Sequence, residues 1–383
     1  MTATVPATAF APSSDFPIVA AEEVLDTPCM VVDETILHRN IAEMQAFATS
    51  VGVALRPHIK THKTPQIARL QIQAGAVGAT CAKLGEAEVM ADEAGVTDLL
   101  LAYPVVGEPK IRRLLALMER AHVTVAVDTR EAAEALSRAM AANERVLDLY
   151  IEVNTGQDRA GAKAGDEALA LALDVARMPG VNVVGVMTHE GHAGASSPEE
   201  IERNALAAGR ALVETADAIR AAGVDIRAVS VGSTPSSPYT PTVPGVTEMR
   251  PGTYVFNDNM AFRHGRMGPD RCAARIATTV VSRPAPDRAI LDAGSKALAF
   301  DPSLSRPGHG YIVGHPGAVI ARISEEHGVV ILPEDEPGFA VGDRHEVIPN
   351  HVCPTINLTD ELLVVRDGRV IDRWTVAARG MVR

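Results

Sequence analysis

The fold is decided by a stretch that reads VTVAVDTREAAEALSRAMAANERVLDLYIEVNT and spans residues 123–155. It begins and ends with short runs rich in Val, Leu and Ile, each closed by polar residues, and the segment between them is rich in Ala, Glu and Arg. Short β-branched runs are typical of strands, and the Ala-rich segment is typical of a helix. The stretch is therefore predicted to be a strand–helix–strand unit.

The same alternation continues on both sides and gives eight predicted strands in all. The other six read TPCMVVD (27–33), ALRPHIK (54–60), GATCAKL (78–84), DLLLAYP (98–104), NVVGVMTHEG (182–191) and AVSVGST (228–234). The first is followed by a helical stretch, ETILHRNIAEMQAFATSVG. Eight strands alternating with helices predict an α/β fold of the (β/α)8 TIM-barrel type, although an open doubly wound sheet has the same local pattern.

The character of the sequence changes after Gly252. Strand-like runs such as ARIATTVVSRP, GAVIARISEEHGVVIL and ELLVVRDGRVIDRWTVAARG are separated there by Pro, Asp and Gly turns. This pattern predicts an all-β domain. The predicted organisation is a flexible leader at 1–26 that can join the β domain, a barrel at 27–256, and a C-terminal β domain at 257–383.

Charge and composition exclude two classes of partner. The formal net charge is −12 at pH 7, and no run of five or more Lys or Arg residues interrupts it. Such a chain repels nucleic-acid phosphates and anionic lipid. No apolar stretch approaches the length of a membrane span, about 18 residues, and the opening segment does not match a secretory signal.

Four widely spaced cysteines (Cys29, Cys81, Cys272 and Cys353) predict free thiols and a cytoplasmic protein.

Active sites of such barrels lie at the carboxyl ends of the strands, so the polar residues that close each run are the candidates. Lys60 closes ALRPHIK, and a desolvated lysine there would be a nucleophile for an aldehyde. His189 and His192 flank Glu190 and Gly191 at the end of another run and could move protons. The alternatives are a surface lysine at the start of a loop and ordinary polar loop residues.

Two further groups suggest anion binding. Gly232, Ser233 and Thr234 follow the last predicted strand, where barrel enzymes commonly hold a phosphate. Arg159 follows a glycine turn and could face a ring or a carboxylate. A short Gly-Ser-Thr turn is weak evidence by itself, and an exposed loop arginine is the commoner explanation of Arg159.

The predicted β domain contains a candidate metal site. His351 and Cys353 are two residues apart in IPNHVCPTINL, and on a strand both side chains would lie on one face. Imidazole nitrogen and thiolate sulfur suit zinc, and two protein ligands leave coordination positions open. A His-x-Cys pair also occurs by chance.

Several ordered motifs resemble one known family. They are TPCMVVD, RPHIKTHKT, THEGH, VGSTPS, RPGTYVFND, SEEHGVV and HVCPTINL, and they cover nearly the whole chain from Thr27 to Arg383. Together they resemble the family that includes D-threonine aldolase and the eukaryotic-type D-serine dehydratases, which are alanine-racemase-like enzymes of fold type III. The resemblance implies pyridoxal 5'-phosphate (PLP), a divalent metal (Zn, Mn or Mg) and a homodimer.

The resemblance also implies roles for individual residues. Lys60 would form the Schiff base with PLP, and Arg159 would lie against the cofactor. The Gly232-Ser233-Thr234 loop and Tyr254 would hold the cofactor phosphate. His351 and Cys353 would bind the metal. All but Tyr254 are also candidates on chemical grounds.

The resemblance implies a lyase that acts on a D-3-hydroxy amino acid. His-x-Cys, THEGH and VGSTP are similar to the dehydratases, whereas the C-terminal segment and the opening of the barrel are similar to the aldolases. The first hypothesis is cleavage to glycine and an aldehyde; the alternative is dehydration of D-serine or D-3-hydroxyaspartate to a 2-oxo acid and ammonia. A racemase would need a second base such as Tyr311, and a non-catalytic PLP-binding protein would lack the β domain.

Overall fold

The computed structural model describes residues 18–20, 23–191, 197–262, 267–302, 307–334 and 336–383. These residues divide into two compact units. The barrel unit comprises His38–Val255 and Thr375–Arg383, and the β unit comprises the described parts of Met1–Leu37 and Phe256–Trp374. Among the described residues, no helix combines the length and the apolar character that crossing a membrane requires.

In chain order the strands are β1 Cys29–Asp33, β2 Ala54–Leu55, β3 Ala79–Cys81, β4 Asp98–Leu101, β5 His122–Val127, β6 Leu147–Asn154, β7 Ala162–Lys163, β8 Val181–Met187, β9 Ala228–Val231, β10 Glu248–Met249, β11 Ala274–Ala285, β12 Arg288–Leu291, β13 Tyr311–Ile312, β14 Val319–Ile323, β15 Gly328–Ile331, β16 Arg344–Ile348, β17 Glu361–Arg366 and β18 Arg369–Thr375. The α-helices are α1 Glu34–Ser50, α2 Pro65–Gln73, α3 Leu84–Asp92, α4 Glu108–Leu117, α5 Arg130–Ala142, α6 Asp166–Ala176, α7 Pro198–Ala221, α8 Ser295–Leu298 and α9 Val352–Asn357.

The barrel unit contains the predicted eight-stranded parallel sheet. Its strands are hydrogen-bonded in the order β2-β10-β9-β8-β6-β5-β4-β3, and β7 adds to β6. A parallel bridge between His58 and Thr80 joins the two ends of this series. The carboxyl ends of all eight strands therefore lie on the same rim, and the predicted fold class is confirmed.

The barrel strands are buried on both faces, which explains their continuous apolar runs. Leu99 and Leu101 belong to the large core cluster that includes the helical residues. Leu100, between them, belongs to a separate cluster with Tyr150, on the face toward the barrel axis. Gly185 makes room for this aromatic ring, because an added Cβ would lie only 2.6 Å from Tyr150 Cε1.

The β unit corrects one strand assignment. Residues 29–33 form β1, which pairs antiparallel with β11 and parallel with β17 instead of opening the barrel. A central strand of either sheet is buried on both faces, so TPCMVVD has the same pattern in both contexts. The eighth barrel strand is instead β10, Glu248–Met249, which was not predicted.

The unit boundaries also differ from the predicted domain limits. The barrel unit begins at His38 instead of residue 27, and residues 375–383 return to it. There Ala378 N donates to Lys63 O at 3.0 Å. The described part of the leader belongs to the β unit. Ile18 N and Val19 N donate to the two carboxylate oxygens of Glu346 at 2.9 and 2.8 Å.

A buried ion pair anchors the β unit. Arg275 Nη1 lies 2.9 Å from Glu346 Oε2, and the two side chains are only 3% and 4% exposed. We expect Arg275→Met to lower the free energy of unfolding of this unit by about 3–5 kcal/mol, because it leaves a buried carboxylate without its cation. Denaturant titration followed by the fluorescence of Trp374, the single tryptophan and a residue of the β unit, measures the change.

The matched control is Arg322→Met, which removes an exposed arginine from β14. Its effect should stay within about 0.5 kcal/mol. Equal midpoints for the two variants would show that the pair between Arg275 and Glu346 contributes nothing particular to stability.

Candidate active site

Lys60 lies just beyond the carboxyl end of β2. The strand is shorter than predicted, and Lys60 is on a single 3-10 turn, Ile59–Thr61, whose flanking residues Ile59 and Thr61 are buried. The Lys60 backbone N–H donates to His58 Nδ1 at 3.4 Å, and His58 N donates to Pro251 O at 3.0 Å. These contacts fix the turn at the barrel rim, while the Lys60 side chain stays half-buried.

His189 follows β8 and is uncharged. Its pKa is lowered to about 3, first by burial and then by the positive charges of Lys60, Arg159 and Arg250. Its Nδ1 lies 2.6 Å from Gly232 O. Because a carbonyl oxygen only accepts hydrogen bonds, Nδ1 carries the proton and Nε2 has the free lone pair. The other predicted histidine, His192, lies outside the described residues.

Gly191 keeps the second nitrogen of this imidazole accessible. A Cβ at that position would lie 2.8 Å from His189 Nε2, which is closer than side-chain carbons normally approach. The glycine in THEGH is therefore explained by the room that His189 Nε2 requires.

Cations surround this histidine. The pKa of the His58 imidazole is also far below its usual range, because of burial and of the charges of Lys60 and Arg250. Arg159 has a side chain that is 57% exposed, and its Nη2 lies 4.0 Å from Glu152 Oε1. The structure thus brings Lys60, His189 and Arg159 together at the barrel rim, with Glu152 beside Arg159.

Sequence reasoning missed Arg250. This residue is 4% exposed, donates from Nη2 to Thr188 O at 2.6 Å, and also donates to the Ser230 hydroxyl. It directly follows β10, so it was missed together with that strand. The only available signal was the position of Arg250 at the start of the RPGTYVFND motif.

The Gly232-Ser233-Thr234 loop is held by a buried carboxylate. Glu190 Oε2 accepts from Gly232 N at 3.2 Å, and Glu190 Oε1 accepts from Ser236 Oγ at 2.7 Å. Ser236 Oγ in turn lies 2.6 Å from Ser233 Oγ. Glu190 therefore shapes the loop, and the Gly232 amide is already engaged.

Tyr254 reaches this loop through its backbone. Its N–H donates to Thr234 Oγ1 at 3.3 Å, whereas its hydroxyl accepts from Gln71 Nε2 at 2.9 Å in a site where the residue is 3% exposed. Gln71 Oε1 lies 3.2 Å from His62 Nε2. The Tyr254 hydroxyl thus belongs to a buried hydrogen-bond chain, and this geometry favours a role in positioning Thr234.

In the β unit, His351 and Cys353 lie at the start of a helix instead of on a strand. His351 is the extended residue before α9, and Cys353 is in its first turn. The strand prediction was wrong because Asp258, remote in sequence, accepts the backbone N–H of Val352 at 3.0 Å and caps the helix. The two candidate ligands still interact, through a hydrogen bond between their side chains.

The His351 ring has a second partner. Its Nδ1 lies 3.3 Å from Asp301 Oδ1. Across the described ranges, no group of three or more His, Cys, Asp or Glu side chains is arranged to hold a metal ion. As candidate ligands, the pair has one imidazole nitrogen and one sulfur atom.

Comparisons with known proteins agree with both units. The model of the alanine racemase N-terminal domain matches residues 32–260, and that of a putative serine dehydratase domain matches residues 273–365. The chain is 36% identical over 365 residues to D-threonine aldolase of Arthrobacter sp, with 94% of each protein covered.

Two solved structures are similar along nearly their whole length. D-threonine aldolase from Filomicrobium marinum is 35% identical, with a TM-score of 0.87 and coverage of 94% of this chain and 97% of that one. D-threo-3-hydroxyaspartate dehydratase from Delftia sp. HT23 is 33% identical, with a TM-score of 0.85 and coverage of 92% and 97%. A cysteine-to-alanine variant of D-threo-3-hydroxyaspartate dehydratase is known in a metal-free form.

The domain match over residues 32–260 and these full-length relatives lead to one assignment. The chain is a PLP-dependent lyase that belongs to the family of the alanine racemase N-terminal domain, in the group that also carries a putative serine dehydratase domain.

Proposed function

We propose that this lyase cleaves D-3-hydroxy amino acids of the D-threonine type to glycine and an aldehyde, with PLP and a divalent metal as cofactors. The observation that carries the proposal is the uncharged His189 at the barrel rim, where the charges of Lys60, Arg159 and Arg250 act on it. The identity of 36% to a D-threonine aldolase supports the same reaction.

The residues of the barrel site fit PLP. Lys60, Arg159 and Arg250 supply positive charge for the phosphate and carboxylate groups of cofactor and substrate, while Glu190 is engaged with the loop. Lys60 would hold the cofactor through its amine, and Ser233 and Thr234 would contact its phosphate. Bound PLP supplies the electron sink that carbon–carbon cleavage next to an amine requires.

His189 is the proposed base. Aldol cleavage requires removal of the proton from the 3-hydroxyl group, and an unprotonated imidazole can accept it. The bond to Gly232 O keeps the proton on Nδ1, so Nε2 is the atom that accepts. His192 remains a second candidate base from the sequence alone.

His351 and Cys353 are the proposed metal ligands. An imidazole nitrogen and a thiolate sulfur suit zinc, with manganese and magnesium as alternatives, and two protein ligands leave positions open for water or substrate. A bound divalent metal would supply Lewis-acid polarisation of a hydroxyl oxygen. The metal-free form known for a related dehydratase supports metal binding in this group.

Dehydration is the second candidate reaction. The His-x-Cys pair favours it, since the resemblance links that form to the dehydratases. In this reaction Lys60 would remove the Cα proton, and the products would be a 2-oxo acid and ammonia. Both reactions use the same residues. A racemase is disfavoured because the proposed metal ligands His351 and Cys353 would then have no role.

We further propose that the protein is cytoplasmic and forms a homodimer. All four cysteines are free, which supports a reducing compartment. The dimer is supported by the family resemblance.

The role of Lys60 is tested by replacing it. Lys60→Ala should abolish the visible absorbance of the lysine-bound cofactor, because no other amine in the proposal takes its place. Lys163→Ala is the matched control, since that lysine is exposed on β7. A visible band that survives dialysis in Lys60→Ala would contradict the assignment.

The role of His189 is tested by kinetics. His189→Ala should lower kcat on the order of 10²–10⁴-fold while the visible cofactor band remains, because it removes the base and leaves Lys60 in place. The control is His327→Ala, which removes an exposed histidine of the β unit. Equal kcat values in the two variants would remove His189 from the mechanism.

The lowered pKa of His189 also predicts a pH profile. A histidine with a depressed pKa stays unprotonated as the pH falls, so kcat/KM should not decline through His189 between about pH 7 and pH 5. A decline in that range that disappears in His189→Ala would show that the imidazole titrates near its ordinary value.

A further inference from the structure

A carboxylate faces the side of His351 that a metal would not occupy. Asp301 Oδ1 lies 3.3 Å from His351 Nδ1. An ionised carboxylate only accepts hydrogen bonds, so Nδ1 carries a proton and Nε2 is the ring nitrogen that could bind a metal. A metal bound at Nε2 would lie on the far side of the ring from Asp301.

The backbone of Asp301 is held by the residue that precedes His351. Asn350 Nδ2 donates to Asp301 O at 3.0 Å and to Gly308 O at 2.9 Å. Asn350 Oδ1 accepts from Asn259 Nδ2 at 2.8 Å, and Asn350 is only 3% exposed. This buried amide uses both of its N–H groups and its oxygen, so it connects the segment of Asp301 rigidly to the segment of His351.

The other carboxylate near His351 is engaged elsewhere. Asp258 Oδ2 accepts from Val352 N at 3.0 Å, and Asp258 Oδ1 accepts from Met260 N at 3.1 Å. Both of its oxygens therefore bind backbone amides, and one of these amides is at the start of α9. Asp301 is the carboxylate that bonds to the imidazole ring.

We propose that Asp301 is a positioning residue that fixes the tautomer and the ring orientation of His351, so that Nε2 is presented to a divalent metal. Asn350 anchors the backbone of Asp301. The inference rests on the proposed metal site at His351 and Cys353. Carboxylate partners of this kind orient metal-binding histidines and raise their basicity, and their loss typically costs about 10–100-fold in metal affinity.

The test is metal binding by the full-length protein without substrate. Zn²⁺ affinity is measured by competition with a chromophoric chelator, and Co²⁺ spectra report coordination by the cysteine sulfur. Asp301→Ala should raise the Kd for Zn²⁺ by about 10–100-fold, while the sulfur-to-cobalt band at saturating Co²⁺ remains. Asp301→Asn, which keeps the shape of the side chain but loses its charge, should raise the Kd less.

The control is Asp287→Ala, which removes an exposed carboxylate from a turn of the same unit and should leave the Kd unchanged. Trp374 fluorescence verifies that each variant is folded, and Asp301→Asn carries the test if Asp301→Ala is unfolded. A wild-type Kd in the folded Asp301 variant would overturn the inference. Failure of His351→Ala to reduce binding would instead overturn the proposed metal site.

Discussion

The eight barrel strands all run in the same direction, and the bridge between His58 and Thr80 joins the ends of their series. This parallel closure is the constraint on which the site depends. It brings to one rim residues that are far apart in sequence, because each follows the carboxyl end of a different strand. Lys60, His189 and Arg250 follow strands β2, β8 and β10, and they interact electrostatically only because those strands share the rim.

The hydrogen bonds of the Glu190 carboxylate shape the site at the barrel rim. Glu190 is fully buried, and its two oxygens accept from Gly232 N and Ser236 Oγ. The same loop provides the carbonyl that fixes the proton of His189 on Nδ1. One loop therefore takes part in two arrangements: Glu190 shapes the Gly232-Ser233-Thr234 turn, and the Gly232 carbonyl fixes the proton of His189 on Nδ1.

The sequence predicted features with a local cause and missed those with a remote one. Buried parallel strands have a continuous apolar pattern, so the barrel was predictable, but residues 27–33 have that pattern in a mixed sheet as well. Strand Glu248–Met249 is too short to show any period, and Arg250 was missed with it. The spacing of His351 and Cys353 found the candidate ligands, yet the cap from Asp258 that makes their segment helical lies outside any local window.

The most direct test of the proposed reaction is product analysis with D-threonine, using the protein supplied with PLP and a divalent metal. We expect glycine and acetaldehyde in equal amounts, because His189 Nε2 is available to remove the hydroxyl proton. Formation of 2-oxobutanoate and ammonia would contradict it and establish dehydration instead. D-Serine, assayed in parallel for pyruvate and ammonia, checks the same alternative on the smaller substrate.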